Sequence, residues 1–398
     1  MEQHGTTRRQ EESGFSLVEL LIYMGLLGIL MTMVFSSFTP VMRSSSRQSR
    51  IAETKIETAV GLDILQGDLD HAGFGLPWTF PKGGATPSPY LEPAAPAAMN
   101  DFPNIPRAVL SEDVSAKSLN GSDYLSIKAL NVATNDASQK WGVLGRNAAR
   151  DPAVQTLSNS AAFIGTDRVI VIRPQASLSE PRQLVLDGSS YVARPTSLDL
   201  TPYAPPPTPF DPNGEKYLVY GIDDKTDPRR PFNRTDYYIN AAGVTGHCAP
   251  GTGTLVKATL NHADNNFTIM PIVDCVADFQ VVYYLDTDGN GGWDTRANAS
   301  GLASLTAKQI REQVKAIRCY LLTHEGGVDP TYTHPNPNKN VGEIDQVVVN
   351  ALPTKDPDST AGGVLLAGRA FALNTNIGAT WANYRWKVYS IAVSPKNF

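Results

Sequence analysis

One carboxylate stands alone in an apolar run. Glu19 is the only ionisable group of consequence in FSLVELLIYMGLLGILMTMVFSSFTPVM, residues 15 to 42. A carboxylate in hydrocarbon is expensive unless it is protonated or paired. No Lys, Arg or His lies in the run, so the compensating cation must come from a chain terminus or another subunit. The run is preceded by Gly14, whose missing side chain suits a tight backbone fit in a protease. A second group of carboxylates lies in DTDGNGGWD: Asp286, Asp288, Asn290 and Asp294 fall at the first, third, fifth and ninth positions of a calcium loop. Ala297 stands where that loop needs its bidentate Glu, which favours a Gly-rich hairpin turn after a strand and leaves Ca2+ as the alternative. Three cysteines, Cys248, Cys275 and Cys319, lack the C-x-x-C spacing of zinc or redox sites. If the chain is exported, Cys248 with Cys275 is the preferred disulfide, closing a loop around Ala249 to Asp274, with Cys319 free in a strand.

Enzyme signatures are missing. The six histidines form no H-E-x-x-H, and there is no G-x-S-x-G and no phosphate-cradling Walker loop. The expectation is a non-enzyme without a cofactor apart from the calcium alternative, although a site assembled from distant residues leaves no such mark. A formal charge of −5 gives no global attraction to nucleic acid. Tyr283, Tyr284, Trp381, Tyr384 and Trp386 read as sheet packing and not as base-stacking platforms.

The elements that hold these residues are legible in outline. Residues 15 to 42 are long enough to span a bilayer as one helix, too long for the apolar core of an ordinary signal peptide, and without an A-x-A site. Beyond the span, Ile51, Thr58, Leu62, Leu65 and Leu69 recur three, four or seven apart, so the helix is expected to continue with one apolar stripe against a head. Pro40 is a candidate kink, and Gly73 and Gly75 a helix stop. Residues 76 to 107, rich in Pro, Ala and Gly, read as a long ordered loop or a mobile excursion. Strands are expected at Asp123 to Leu130, Asp167 to Ile172, Gln183 to Leu186, Tyr217 to Tyr220, Asp236 to Ile239, Leu255 to Leu260, Val276 to Leu285, Ala316 to Thr323 and Trp386 to Val393. In Val276 to Leu285, Ala277, Phe279, Val281, Tyr283 and Leu285 alternate with Asp278 and Gln280, the pattern of a half-buried antiparallel strand. Leu305 to Arg311 reads as a short helix with a Thr306/Gln309 capping box. The fold class is therefore α+β: a long N-terminal transmembrane and amphipathic helix packed on a large, mostly antiparallel head. The domains expected are a leader at 1–14, an assembly helix at 15–42, its amphipathic continuation at 43–75 and a head at 76–398. A Pro-rich stretch at Thr201 to Gly214 is a candidate divide within that head.

Gly14-Phe15-Ser16-Leu17-Val18-Glu19-Leu20 resembles the cleavage and methylation motif of type IV prepilins. The resemblance implies removal of the leader after Gly14 by an inner-membrane peptidase and N-methylation of Phe15. It also implies pairing of Glu19 with the terminal amine of a neighbouring subunit. The leader departs from the family's net basic character, since Arg8 and Arg9 face Glu2, Glu11 and Glu12. LDILQGDLDHAGFG, GSDYLSIKAL, PIVDCVADFQVVYYLDTDGNGG, QVKAIRCYLLTHEGG and YRWKVYSIAV resemble the PilW-type minor pilins. That likeness implies a subunit that initiates or caps pili together with other minor pilins, the major pilin, the prepilin peptidase and the assembly platform. Its expected place is the bacterial inner membrane, single-pass with a periplasmic head, then the fibre. A large type II secretion pseudopilin and a pilin-anchored adhesin share the anchor and stand as alternatives.

Overall fold

The computed structural model describes residues 16–81, 90–93, 96–113, 116–156, 161–177, 180–207, 214–242, 246–345 and 364–398. Two units make up the chain, residues 1–52 and residues 53–398. The first unit is helical from Leu17 onward. Helix α1, Leu17–Asp70, is a single element of 54 residues that continues through position 40 and reaches into the second unit. Its N-terminal stretch is long and apolar enough to cross a membrane, and none of that stretch is buried.

The part of α1 that belongs to the second unit is sorted by its stripe. Thr58, Leu62, Leu65 and Leu69 are buried, the leucines in one cluster with Leu125, Tyr237, Leu255, Phe279 and Ile317. Each such leucine contributes about 1.5–3 kcal/mol through the area it removes from water. Gly61 lets helix and sheet meet, because a Cβ there would lie 2.4 Å from the Ile272 carbonyl oxygen. Asp68 adds a polar tie, accepting from the Tyr237 hydroxyl at 2.6 Å and pairing with Lys257 at 2.6 Å. The helix ends at Asp70, and Gly73 and Gly75 in the following turn take positive φ.

Fifteen strands follow among the described residues. They are β1 Val109–Glu112, β2 Tyr124–Ala129, β3 Trp141–Arg146, β4 Pro152–Thr156, β5 Arg168–Ser177, β6 Glu180–Leu184, β7 Tyr217–Asp223 and β8 Asn233–Asn240. After these come β9 Gly253–Leu260, β10 Phe267–Leu285, β11 Thr295–Asn298, β12 Val314–Glu325, β13 Asn338–Asp345, β14 Val364–Ala372 and β15 Arg385–Val393. The main sheet runs β1-β2-β8-β9-β10-β12-β15, with β11 paired to β10, and every pairing is antiparallel. A second antiparallel sheet, β4-β3-β7-β5-β6, is made wholly from chain between β2 and β8. Those two strands are themselves ladder partners, with Ala129 opposite Asn233. The Pro-rich stretch at 201–214 therefore lies within the sequence of the smaller sheet, between β6 and β7, and its residues 208–213 lie outside the described residues. The sheets part instead at the ends of β2 and β8.

Strand β10 differs from the expected half-buried pattern. From Val276 to Leu285 it is buried on both faces, Asp278 and Gln280 included. Phe279, Val281, Tyr283 and Leu285 join the cluster under α1, while Ala277, Val282 and Tyr284 pack with Val341, Phe371 and Trp386. A bulge between Val276 and Asp278 puts Ala277 on the side opposite Phe279. The second cover includes the two-stranded ribbon β13-β14, whose polar, Gly-containing β13 gives no strand signal. Helix α2, Ser197–Leu200, is a single turn; α3, Ala307–Gln313, begins with the Thr306/Gln309 capping box.

Candidate functional site

Glu19 lies in the first turn of α1. It is exposed and makes no hydrogen bond or ion pair among the described residues. Around it the large apolar side chains from Leu17 to Phe38 are at least half exposed, with Leu17 at 77% and Met31 at 50%. So long an uncovered apolar surface requires lipid or other apolar helices around it. Within that surface the carboxylate is the one feature able to select a partner by charge. Gly14 and Phe15 lie outside the described residues.

The hairpin β10–β11 carries the acidic loop. Asp286, Asp288 and Asp294 bring carboxylate oxygens within 4.8 Å of one another. Their lone pairs are already engaged. Asp286 accepts from Gly289 N at 2.7 Å and Gly291 N at 2.9 Å, and Lys315 Nζ lies 3.1 Å away. Asp294 accepts from the Thr287 and Thr295 hydroxyls, both at 2.6 Å, which hold its carboxyl down at about 2. Asn290 donates to Asp288 and accepts from Gly292 N. Ala297 sits in the ladder opposite Tyr283, so the position that would supply a bidentate Glu is committed to the strand. The donor set fits a self-contained turn that replaces an ion's charge with N–H donors and Lys315.

Cys248 and Cys275 form a disulfide with Cα atoms 4.9 Å apart, joining the loop before β9 to the middle of β10. Cys319 is free and buried, and burial pushes its thiol far above the ordinary range. Next to the disulfide, His324 accepts from Ala249 N at Nε2 (2.9 Å), and its Nδ1 lies 3.0 Å from the Gly326 carbonyl. That pattern fixes a neutral ring protonated at Nδ1.

A buried ionic network was not foreseen. Lys128 on β2 faces Arg234 directly across the ladder to β8. Like charges so placed repel. The segment before β1 resolves this: Glu92 and Asp101 lie 2.7 and 2.5 Å from Lys128 Nζ, and Asp101 also binds Arg107 at 2.6 Å. Arg234 pairs with Asp236 and donates to Asn100 Oδ1. Lys128, Arg234 and Asp236 are fully buried. Residues 90–93 and 96–107 are thereby an ordered cover on the sheet. The only sequence signal was a set of charges inside otherwise apolar strands.

Comparison with known families gives two matches. The description "prokaryotic N-terminal methylation motif" matches residues 9–35, and "type IV pilus-assembly protein W" matches residues 236–397. The second begins inside β8 and runs to β15, leaving the smaller sheet outside. No curated protein and no solved structure matches the chain.

Proposed function

We propose that this type IV prepilin-like chain of the PilW type is a minor pilin, cut after Gly14, N-methylated on Phe15, and serving to initiate or cap a type IV pilus. The observation that carries the reading is the division of labour along α1. Residues 17–38 present uncovered apolar side chains around Glu19, whereas Leu62, Leu65 and Leu69 are spent in the core of the head. Such a helix can enter a bundle of like helices without unfolding its own head. In the inner membrane it anchors the chain once, with the head in the periplasm, where the Cys248–Cys275 bond is chemically at home. The partners are then the other minor pilins, the major pilin, the prepilin peptidase and the assembly platform. The role is structural and needs no chemistry from the head.

The test is deletion and complementation with a tagged full-length chain, followed by quantification in sheared filaments and mass spectrometry of its N-terminus. Few pili in the deletion strain, substoichiometric protein in the filaments and a methylated Phe15 are expected. Normal piliation with a defect in protein secretion would move the chain to the pseudopilins. Normal piliation with a defect only in surface attachment would make it an adhesin.

A further inference from the structure

Two guanidinium groups share one indole in the head. The Arg311 Cζ lies 4.7 Å from the Trp78 ring centroid and the Arg182 Cζ 5.4 Å from it. Arg182 also meets the Leu76 carbonyl and the Tyr220 hydroxyl, at 3.3 and 3.5 Å. Arg311 has no hydrogen bond or ion pair among the described residues. Burial lowers the Arg311 pKa to about 10; Glu312 resists the fall and Arg182 adds to it. Glu312 itself reaches Lys308 on the exposed side of α3, at 3.5 Å. Half-buried cations without a counter-charge are costly, and an anion supplied from outside removes the cost.

Arg311 opens into a cleft of about 470 Å³, also lined by Trp78, Asp101, Asn104, Ser304 and Lys308. That size suits a small ligand. Asp101 is the cleft's acid, and Arg107 and Lys128 neutralise it. The side chains of Asn104 and Ser304 are exposed and make no hydrogen bond among the described residues. Among the described residues the cleft holds one unpaired planar fork, which matches a planar monoanion, whereas a phosphate dianion would bring a second charge toward Asp101. The amide and hydroxyl on the rim match hydroxyl groups. We infer that this cleft binds a small carboxylate of the sugar-acid class, its carboxylate paired with Arg311 and its hydroxyls against Asn104 and Ser304.

Calorimetric titration of the detergent-solubilised full-length protein tests this with galacturonate, galactose and inorganic phosphate as probes. Galacturonate should bind one to one, and galactose and phosphate about tenfold or more weakly. Arg311→Gln should weaken galacturonate by about tenfold or more, with Arg311→Lys in between, since it keeps the charge and loses the fork. Phosphate binding as tight as galacturonate, no binding by any probe, or binding untouched by Arg311→Gln overturns the assignment. A measurement on the unmodified sequence guards against a variant that fails to fold. Phenylglyoxal labelling with peptide mapping should show Arg311 protected about tenfold by saturating galacturonate and not by galactose. Equal labelling rates overturn the assignment. Neither readout depends on filament assembly, so the minor-pilin role and this site stand or fall separately.

Discussion

Lys128 and Arg234 occupy opposing positions on β2 and β8, and both are wholly buried. Arg234 has Asp236 on its own strand, whereas Lys128 is compensated by what lies over the pair. Glu92 and Asp101, from a segment with no hydrophobic period, make the sheet's charged face tenable. The excursion and the sheet therefore depend on each other.

Asp101→Asn should destabilise the head by about 3–5 kcal/mol, because it leaves Lys128 and Arg107 partly uncompensated in a buried site. Denaturant unfolding measures the loss. Limited proteolysis should locate it, with faster cleavage within residues 90–107. Unchanged cleavage there would show that other contacts hold the segment.

Glu19→Ala should leave the head folded and the leader cleaved, since the core of the head is built from Leu62 onward. Incorporation should fall instead, because the variant removes the anion that can meet a neighbour's terminal amine. The check is the amount of subunit in sheared filaments after processing and membrane insertion have been verified. Wild-type incorporation would mean that the carboxylate is merely tolerated.

Two buried groups give the head opposite pH dependences. His324 is pushed down to about 3 by burial. The unfolded chain therefore binds the extra proton first, and stability is lost as pH falls below about 6.5. Asp123 is pushed up to about 8 by burial, although it accepts from Val281 N at 2.7 Å. Here the folded chain holds the proton longer, so stability is lost as pH rises from about 4 through 8. Asp123→Asn keeps the acceptor for Val281 and removes the charge. Its melting temperature should gain on the parent's by several degrees between pH 6 and 8. A constant offset across that range would show that Asp123 is not the group titrating.

The acidic hairpin should behave as a turn. Millimolar calcium, or its removal by a chelator, should change the melting temperature by no more than about 1 °C, because Lys315 and four backbone N–H groups already serve Asp286 and Asp294. A clear calcium-dependent rise would assign Asp286, Asp288, Asn290 and Asp294 to a cation. Lys315→Ala should then strengthen the response.

What the sequence reveals follows the range of the forces involved. The apolar helix, its leucine stripe and the Thr306/Gln309 box are local patterns, and each is where its pattern puts it. The second face of β10 is not legible, since Asp278 and Gln280 read as solvent-facing until a ribbon from much later in the chain covers them. Asp278 is held there by Arg369, 91 residues on. Strands β3 and β4 are short and interrupted by Gly142, Gly145 and Pro152, so they give no periodic signal. Lys128 looks like an isolated charge because its partners lie 27 and 36 residues upstream in a Pro-rich stretch. The Arg311 cleft gives no motif at all, as its parts come from three separate segments.

The pairing of Ala129 with Asn233 makes the smaller sheet a detachable module. Its chain leaves the main ladder at one rung and returns at the opposing one, so a direct hairpin there would preserve every rung of the main sheet. Lengthening such a detour costs little, because closure entropy grows only with the logarithm of its length. The region matching the pilus-assembly description begins just after the return, at residue 236. A change of length or sequence in the module can therefore leave the register of the main ladder as it is.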